Sequence, residues 1–384
     1  MRGNRLFRFV DRFLGVPLLL AFRLIGTILP PGILFRRNPD KFLVVKFSAL
    51  GDTILLLPVL KRLRREYPQA RITIIVTSVN RAAVEGCGLL DELIVFDLGM
   101  FARPWKLAAF CLGLNRRGFG VALDFDQWLR VSPLLCWLSG APVRIGFRTP
   151  GQSRHWAFTR AVEHAPGRHE LDCFFDILRA AGVESGAVGR ELFFNISLDA
   201  AAEGKKLLES LGVRGDYAVI HPGCGRHGWR RQWPEDRYAA VMRELRKLGC
   251  ATVVSVGDGE EGVLAELERH AGEPLKAAAG LPLPVLASVI RGARVFISGN
   301  TGIMHLAAAV GAPVVALHGP TDEKRWGPVG GKCVVVRADY PCAPCLDLGF
   351  EYRCDDRSRG CMEAISVESV VSAVGGILGG KPHA

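Results

Sequence analysis

Short runs of β-branched residues followed by longer amphipathic stretches recur along this chain, and the alternation occurs in two separate series. In the first, Phe42 to Phe47, Arg71 to Thr77, Leu93 to Phe96 and Val121 to Phe125 read as strands, with Thr53 to Tyr67 as a helix. A polar, glycine-containing stretch over Ala181 to Arg190, then Leu198 to Gly215, closes that series. In the second, Tyr217 to His221, Ala251 to Val256, Val295 to Ser298 and Val314 to His318 read as strands. Glu235 to Leu248, Glu261 to His270, Pro284 to Arg291 and Gly302 to Val310 are the helices between them. Such an order needs parallel βα units with both sheet faces covered, so the chain is expected to form two doubly wound α/β domains. Ligands of these sheets bind beyond the carboxyl ends of the strands, which makes the cleft between two domains the expected site.

At 384 residues there is length for two to three domains. With 49% apolar and 23% charged residues, low-complexity and solvating chains are excluded. Lys and Arg outnumber Asp and Glu by 49 to 38, a net charge of +11 that suits sugar nucleotides, acidic glycolipids or membrane headgroups. Only 8% of residues are aromatic and no basic run interleaves with them, so no nucleic acid partner is expected. Of 11 cysteines, seven are scattered singly, the usage of a reduced cytosolic chain.

Residues 1–40 stand apart as a basic, amphipathic N-terminal extension. Within Leu6 to Leu29 the longest uncharged run, Phe13 to Phe22, has ten residues and contains Pro17, too short to span a bilayer. Arg23 follows it without a small-residue cleavage pattern, unlike a signal peptide. Arg2, Arg5, Arg8, Arg12 and Arg23 around Phe and Leu fit a segment lying in an anionic headgroup plane, and equally an extra helix packed on the body of the protein.

Three strand ends carry the informative residues. In Lys46 to Thr53 a strand breaks at Gly51 and a helix starts at once; Asp52 either caps that helix or faces the cleft as a general base for an alcohol. The turn His221-Pro222-Gly223-Cys224-Gly225, with Trp229-Arg230-Arg231-Gln232-Trp233-Pro234 after it, leaves backbone amides and arginines available to a pyrophosphate. In Val295 to His305 a strand delivers Ser298-Gly299-Asn300-Thr301-Gly302 to an Ala-rich helix. There the amides of Thr301 and Gly302, the helix dipole and His305 can meet a phosphate, although a helical histidine is more often structural. Glu260, in the loop after a strand, is placed to grip ribose or sugar hydroxyls, or is a solvated acid.

Lys46 to Pro58, His221 to Pro234, and Ser298 to Trp326 with its NTG-x-MHLAAA-x-G-x-PVVAL-x-GPT run together resemble the three main blocks of glycosyltransferase family 9, the bacterial heptosyltransferases of lipopolysaccharide core assembly. Asp124 to Arg130, Arg144 to Phe147 and His169 to Asp172 are similar to its minor blocks, so the resemblance spans roughly Lys41 to Val374. It implies a GT-B fold of two Rossmann-like domains, over 41–195 for the acceptor and 196–365 for the nucleotide sugar, typically ADP-heptose. The helix Ser366 to Leu378, within 366–384, would then cross back to the first domain. Asp52 matches the family's catalytic aspartate, which would deprotonate the acceptor hydroxyl for transfer with inversion. Gly223, Cys224, Arg231, Glu260, Asn300, Thr301, Gly302 and His305 would hold the donor, and no metal would be required. Asp126, Arg130 and Arg148 are the expected acceptor contacts, although a solvated arginine face is an equally simple reading of the last two. The acceptor would be lipopolysaccharide core or another glycolipid, and the enzyme a peripheral one on the cytoplasmic face of the inner membrane. Two residues depart from the pattern: Arg231 where several relatives have Lys, and Asn300 where many have Asp. They leave a second function open, a catalytically silent GT-B protein that binds a nucleotide or glycan as an assembly partner.

The remaining cysteines, Cys342-x2-Cys345-x8-Cys354-x6-Cys361, could ligate a structural zinc and close a loop, or stand as thiols or disulfides.

Overall fold

In the computed structural model, residues 5–28, 38–183, 189–225, 228–346 and 359–379 are described. The chain divides into two compact units, Met1–Gly189 and Arg190–Ala384, so the division falls a little before the expected 195/196 boundary.

The first unit contains α1 (Arg5–Ile28), β1 (Asn38–Val45), α2 (Leu50–Glu66), β2 (Arg71–Val76), α3 (Arg81–Val84) and β3 (Glu92–Val95). It continues with α4 (Pro104–Arg116), β4 (Phe119–Asp124), α5 (Val131–Leu138), β5 (Val143–Arg148), β6 (Arg160–Glu163) and α6 (Glu170–Ala180). The second begins with α7 (Leu198–Ser210), β7 (Tyr217–His221), α8 (Glu235–Lys247), β8 (Ala251–Val256), α9 (Glu261–Ala271), β9 (Ala277–Ala279) and α10 (Leu283–Arg291). After these come β10 (Val295–Gly299), α11 (Gly302–Ala309), β11 (Val314–Leu317), α12 (Glu323–Trp326), β12 (Cys333–Val336), α13 (Gly360–Glu363) and α14 (Val367–Leu378).

Both sheets are six-stranded and parallel, and both wind the same way: β3-β2-β1-β4-β5-β6 and β9-β8-β7-β10-β11-β12. Leu43, Val44 and Val45 in β1, and Ala218, Val219 and Ile220 in β7, are fully buried, as central strands covered on both faces must be. Each such valine, leucine or isoleucine side chain contributes about 1.5–3 kcal/mol by leaving water. In each sheet the winding direction reverses between two central strands, β1 and β4 in one and β7 and β10 in the other. The crevice at that reversal is where a doubly wound sheet leaves room for a ligand.

Of the two readings of the N-terminal segment, packing on the body holds for one face of α1. Asp11, Gly15, Leu19 and Phe22 recur at helical spacing and face inward. Leu19 is buried against Leu134 and Ala157, and Phe22 stacks on Trp137 at 4.2 Å. A Cβ on Gly15 would lie 2.7 Å from that of Arg130, so only glycine permits this approach. Outside that face the helix leaves apolar side chains exposed: Phe9, Phe13, Leu14, Leu18, Leu20, Leu24 and Ile25. No described helix is long and apolar enough to cross a membrane.

Where the resemblance leads one to expect a helix returning to the first domain, α14 packs on α8 and on β10, β11 and β12 of its own unit. Val370 and Val374 are buried in that core.

Candidate active site

Asp52 sits in the first turn of α2, directly after β1. It is not the cap: that position is Ala49, which makes no side-chain capping bond, so the capping alternative is set aside. Its carboxylate instead lies 3.5 Å from Lys46 Nζ and 3.4 Å from Gln127 Nε2. Lys46 is fully buried, an unusual place for an ammonium, and its partners explain how it is tolerated. It donates to the Phe125 carbonyl and to Gln127 Oε1, both at 3.2 Å, and lies 3.9 Å from Asp126. Asn80, after β2, donates to the Lys46 carbonyl and to Thr53 Oγ1, fixing the strand-to-helix turn from the other side.

The residues expected to contact the acceptor have the following partners within the fold. Asp126 is fully buried, and its carboxylate accepts from Phe47 N at 2.6 Å and Ser48 Oγ at 3.1 Å, so it braces the loop that carries Asp52. Arg130 is buried as well: its backbone N–H and Nη1 both donate to Asp11 of α1, and Nε donates to the Gln152 carbonyl. It therefore clamps the N-terminal helix. Arg148 is exposed in an ion pair with Glu163 on the edge strand β6. Beneath these residues a fully buried Arg154 pairs with Asp124 at 2.6 Å and donates to the Asp126 carbonyl. Burial pushes Asp124 up to about 6 against the pull of that guanidinium.

In the second unit the expected donor residues lie on the turns after β7, β8 and β10. Arg231 Nη1 donates to the Asn300 carbonyl at 3.0 Å, which joins the second and third sequence blocks in one place. Thr301 caps α11, its hydroxyl accepting from Met304 N, and Gly302 opens that helix. His305 is buried in the same first turn. The turn therefore presents a helix N-terminus and a guanidinium, both complementary to an anion. Cys224 is buried, and burial pushes its thiol up to about 12, so it stays neutral. Glu260 is neither solvated nor aimed outward. Its two oxygens accept from Gly225 N at 2.7 Å and Gly257 N at 2.8 Å, tying the two turns together. A Cβ on Gly223 would fall 2.2 Å from that carboxylate, which accounts for the glycine. Asn300 Nδ2 donates to the Trp326 carbonyl at 2.8 Å and lies 3.4 Å from His318 Nε2.

The profile of glycosyltransferase family 9 (heptosyltransferase) matches residues 108–353. The chain belongs to glycosyltransferase family 9. Among similar proteins, lipopolysaccharide heptosyltransferase 3 of Escherichia coli K12 is 25% identical over 345 residues, covering 85% of this chain and 95% of its own. Lipopolysaccharide heptosyltransferase 1 of Pseudomonas aeruginosa PAO1 is 29% identical over 346 residues, covering 83% and 90%. Among solved structures, a family 9 glycosyl transferase from Veillonella parvula superposes with a TM-score of 0.76 at 22% identity, covering 89% of this chain and 98% of that one. ADP-heptose lipopolysaccharide heptosyltransferase II of E. coli gives 0.68 at 19%, covering 88% and 98%. These likenesses establish the GT-B fold, and with the profile they make the chain a heptosyltransferase-like glycosyltransferase.

Several residues around Asp52 and around the turns of the second unit do not stand out in the sequence. Lys46, Gln127 and Glu170 lie within the family blocks, and the available signal is a lysine at the inner end of an apolar strand. His164, Arg154 and His318 carry no local pattern. Of the late cysteines, Cys345 and Cys361 are buried and Cys342 half-buried, while Cys354 lies outside the described residues. Among the described residues, the cluster whose ligand atoms lie within 4.8 Å of one another is His164, Glu170 and Cys173. There the Glu170 carboxylate is already shared between His164 and Gln127.

Proposed function

We propose that this glycosyltransferase moves heptose from ADP-heptose to a hydroxyl of a phosphorylated, lipid-anchored core acceptor, with inversion. The observation that carries the reading is Asp52, a carboxylate held on buried partners in the first turn of α2 at the reversal point of its sheet. The Asp52 carboxylate takes the acceptor proton as the acceptor oxygen bonds to the anomeric carbon. The bond from that carbon to the diphosphate oxygen breaks on the opposite face, and ADP leaves with the electron pair. Arg231 and the amide end of α11 favour that negative charge, so the reading requires no metal for the step. ADP as the nucleotide is supported by similarity to an E. coli heptosyltransferase solved with ADP. A zinc ion at the late cysteines would close a loop and take no part in the chemistry.

Attachment to the anionic cytoplasmic leaflet is supported by the first unit alone. Outward-facing Phe9, Phe13, Leu14, Leu18 and Leu24 of α1 lie with Arg12 and Arg23, and Asp11, the one acid of α1, is taken up by Arg130. Both α1 and α4 pack on α5, and the α4 region exposes Phe101, Trp105 and Leu112 beside Arg103 and Lys106. Aromatic and aliphatic side chains amid basic ones, with little acid, suit a headgroup boundary.

The test is calorimetric titration with ADP, ADP-heptose and UDP-sugars, followed by a transfer assay on wild type and Asp52→Asn. Selective adenine-nucleotide binding is expected, with transfer reduced at least about a thousandfold in Asp52→Asn while donor affinity is kept. Binding of another nucleotide would overturn the donor. Intact transfer in Asp52→Asn would overturn the base, and no binding at all would leave a catalytically silent protein.

A further inference from the structure

Two of the minor sequence blocks, Asp124 to Arg130 and His169 to Asp172, have no part in the reaction as described. In the fold they meet behind Asp52. Gln127 Nε2 donates to Glu170 Oε1 at 2.8 Å and approaches Asp52 Oδ2 at 3.4 Å, while Gln127 Oε1 accepts from Lys46 Nζ at 3.2 Å. Glu170, fully buried at the start of α6, is held in turn by His164 Nε2, 3.0 and 3.1 Å from its two oxygens. His164 Nδ1 lies 3.3 Å from Thr149 Oγ1, and its ring stacks on Phe147 at 4.4 Å.

These neighbours leave the Gln127 carboxamide one orientation. An ammonium can only donate and an ionised carboxylate can only accept, so the amide oxygen must face Lys46 and the NH2 must face Glu170 and Asp52. A flipped amide would set its oxygen against two carboxylates and its NH2 against the ammonium. Gln127 and Glu170 are both fully buried, so water cannot take over any of these bonds without opening the core.

We propose that Gln127, fixed by Lys46, Glu170 and His164, is the positioning residue for the Asp52 carboxylate. This rests on Asp52 as the base and assigns the two minor blocks a role, since together they fix the direction in which the base's carboxylate points. Gln127 touches neither substrate; it acts through Asp52. The adjoining Asp126 accepts from Phe47 N and Ser48 Oγ in the loop between β1 and α2, while Gln127 approaches the Asp52 side chain, so consecutive residues after β4 brace that loop and the carboxylate that follows it.

The experiment compares wild type, Gln127→Met, Gln127→Glu and Glu170→Gln, with Asp52→Asn as reference. All are assayed with the donor and acceptor that wild type turns over. Met keeps the volume of Gln and removes its hydrogen bonds, so Gln127→Met should lose about 10- to 100-fold in kcat, with donor Kd and KM within about twofold of wild type. Gln127→Glu adds a third carboxylate against Asp52 and Glu170 and should lose more. Glu170→Gln keeps one acceptor oxygen and should retain more activity than Gln127→Met, a partial rescue that depends on hydrogen bonding and not on packing. Full kcat in a folded Gln127→Met would overturn the proposal. So would a kcat loss that merely follows a fall in Tm and in donor affinity, since that marks a structural role. If Asp52→Asn itself transfers at the wild-type rate, the base assignment fails, and the positioning role goes with it. If Asp52→Asn is inactive and Gln127→Met is normal, only the positioning role is lost.

Discussion

Asn300 and His318 illustrate how a single residue type can be set by a neighbour far along the chain. Asn300 must donate, because the atom it meets is the Trp326 carbonyl, and an aspartate there would face that oxygen with nothing to give. This is a physical reason for the amide in a turn where the resemblance leads one to expect a carboxylate. His318, the other neighbour, lies in the interior, and burial lowers its pKa from 6.5 to about 4. Between those values the unfolded chain binds more protons than the folded one. The stability associated with a neutral His318 is therefore complete above pH 6.5 and is lost as pH falls toward 4, by about 3 kcal/mol in all. Denaturant unfolding at pH 7.5 and pH 4.5 should show His318→Gln losing less stability on acidification than wild type. Equal losses in the two proteins would mean that other groups account for the acid response.

At the level of elements, the legible parts of the sequence are those whose pattern is local. β7 and β8 have the bounds expected from their β-branched runs, and α8, α9, α10 and α11 differ from expectation by a residue at one end. The strands without a local pattern, β5, β6, β9 and β12, are short, or carry charge or small residues: Arg144 and Gly146 interrupt β5, β6 reads Arg-Ala-Val-Glu, and β9 is three alanines. Their strand identity comes from the neighbour they pair with, which no local window contains. The site divides in the same way. Asp52, Arg231, Thr301 and Gly302 stand at strand ends that are legible locally, whereas the partners of Asp126, Arg130 and Glu260 come from distant segments that only the fold brings near. For α1, one face is explained by packing and the other is not, and lipid is the proposed cover. Flotation with vesicles containing phosphatidylglycerol should capture wild type and release the double variant Phe13→Glu with Leu14→Glu, both exposed positions, while donor affinity is unchanged. Flotation with purely zwitterionic vesicles should be weaker in both. Retention of the double variant on anionic vesicles would remove α1 from the contact.

For the whole molecule, two units with separate cores imply that unfolding need not be one event. Scanning calorimetry is expected to resolve two transitions. ADP at about a hundred times its Kd should raise only the one belonging to Arg190–Ala384, by about 2.7 kcal/mol of added stability, because the anion-complementary turns lie there. A rise in both transitions, or in the other alone, would place the nucleotide elsewhere. The clamp between Asp11 and Arg130 has a further consequence, for the order in which the protein is made. The two residues are 119 positions apart, so at about 5–20 residues per second Asp11 leaves the ribosome roughly 6–24 seconds ahead of Arg130. Through that interval both faces of α1 are bare, and whatever meets the nascent chain first, a chaperone or a membrane surface, does so before the surface formed by α5 and Arg154–Ala157 is in place to receive the helix.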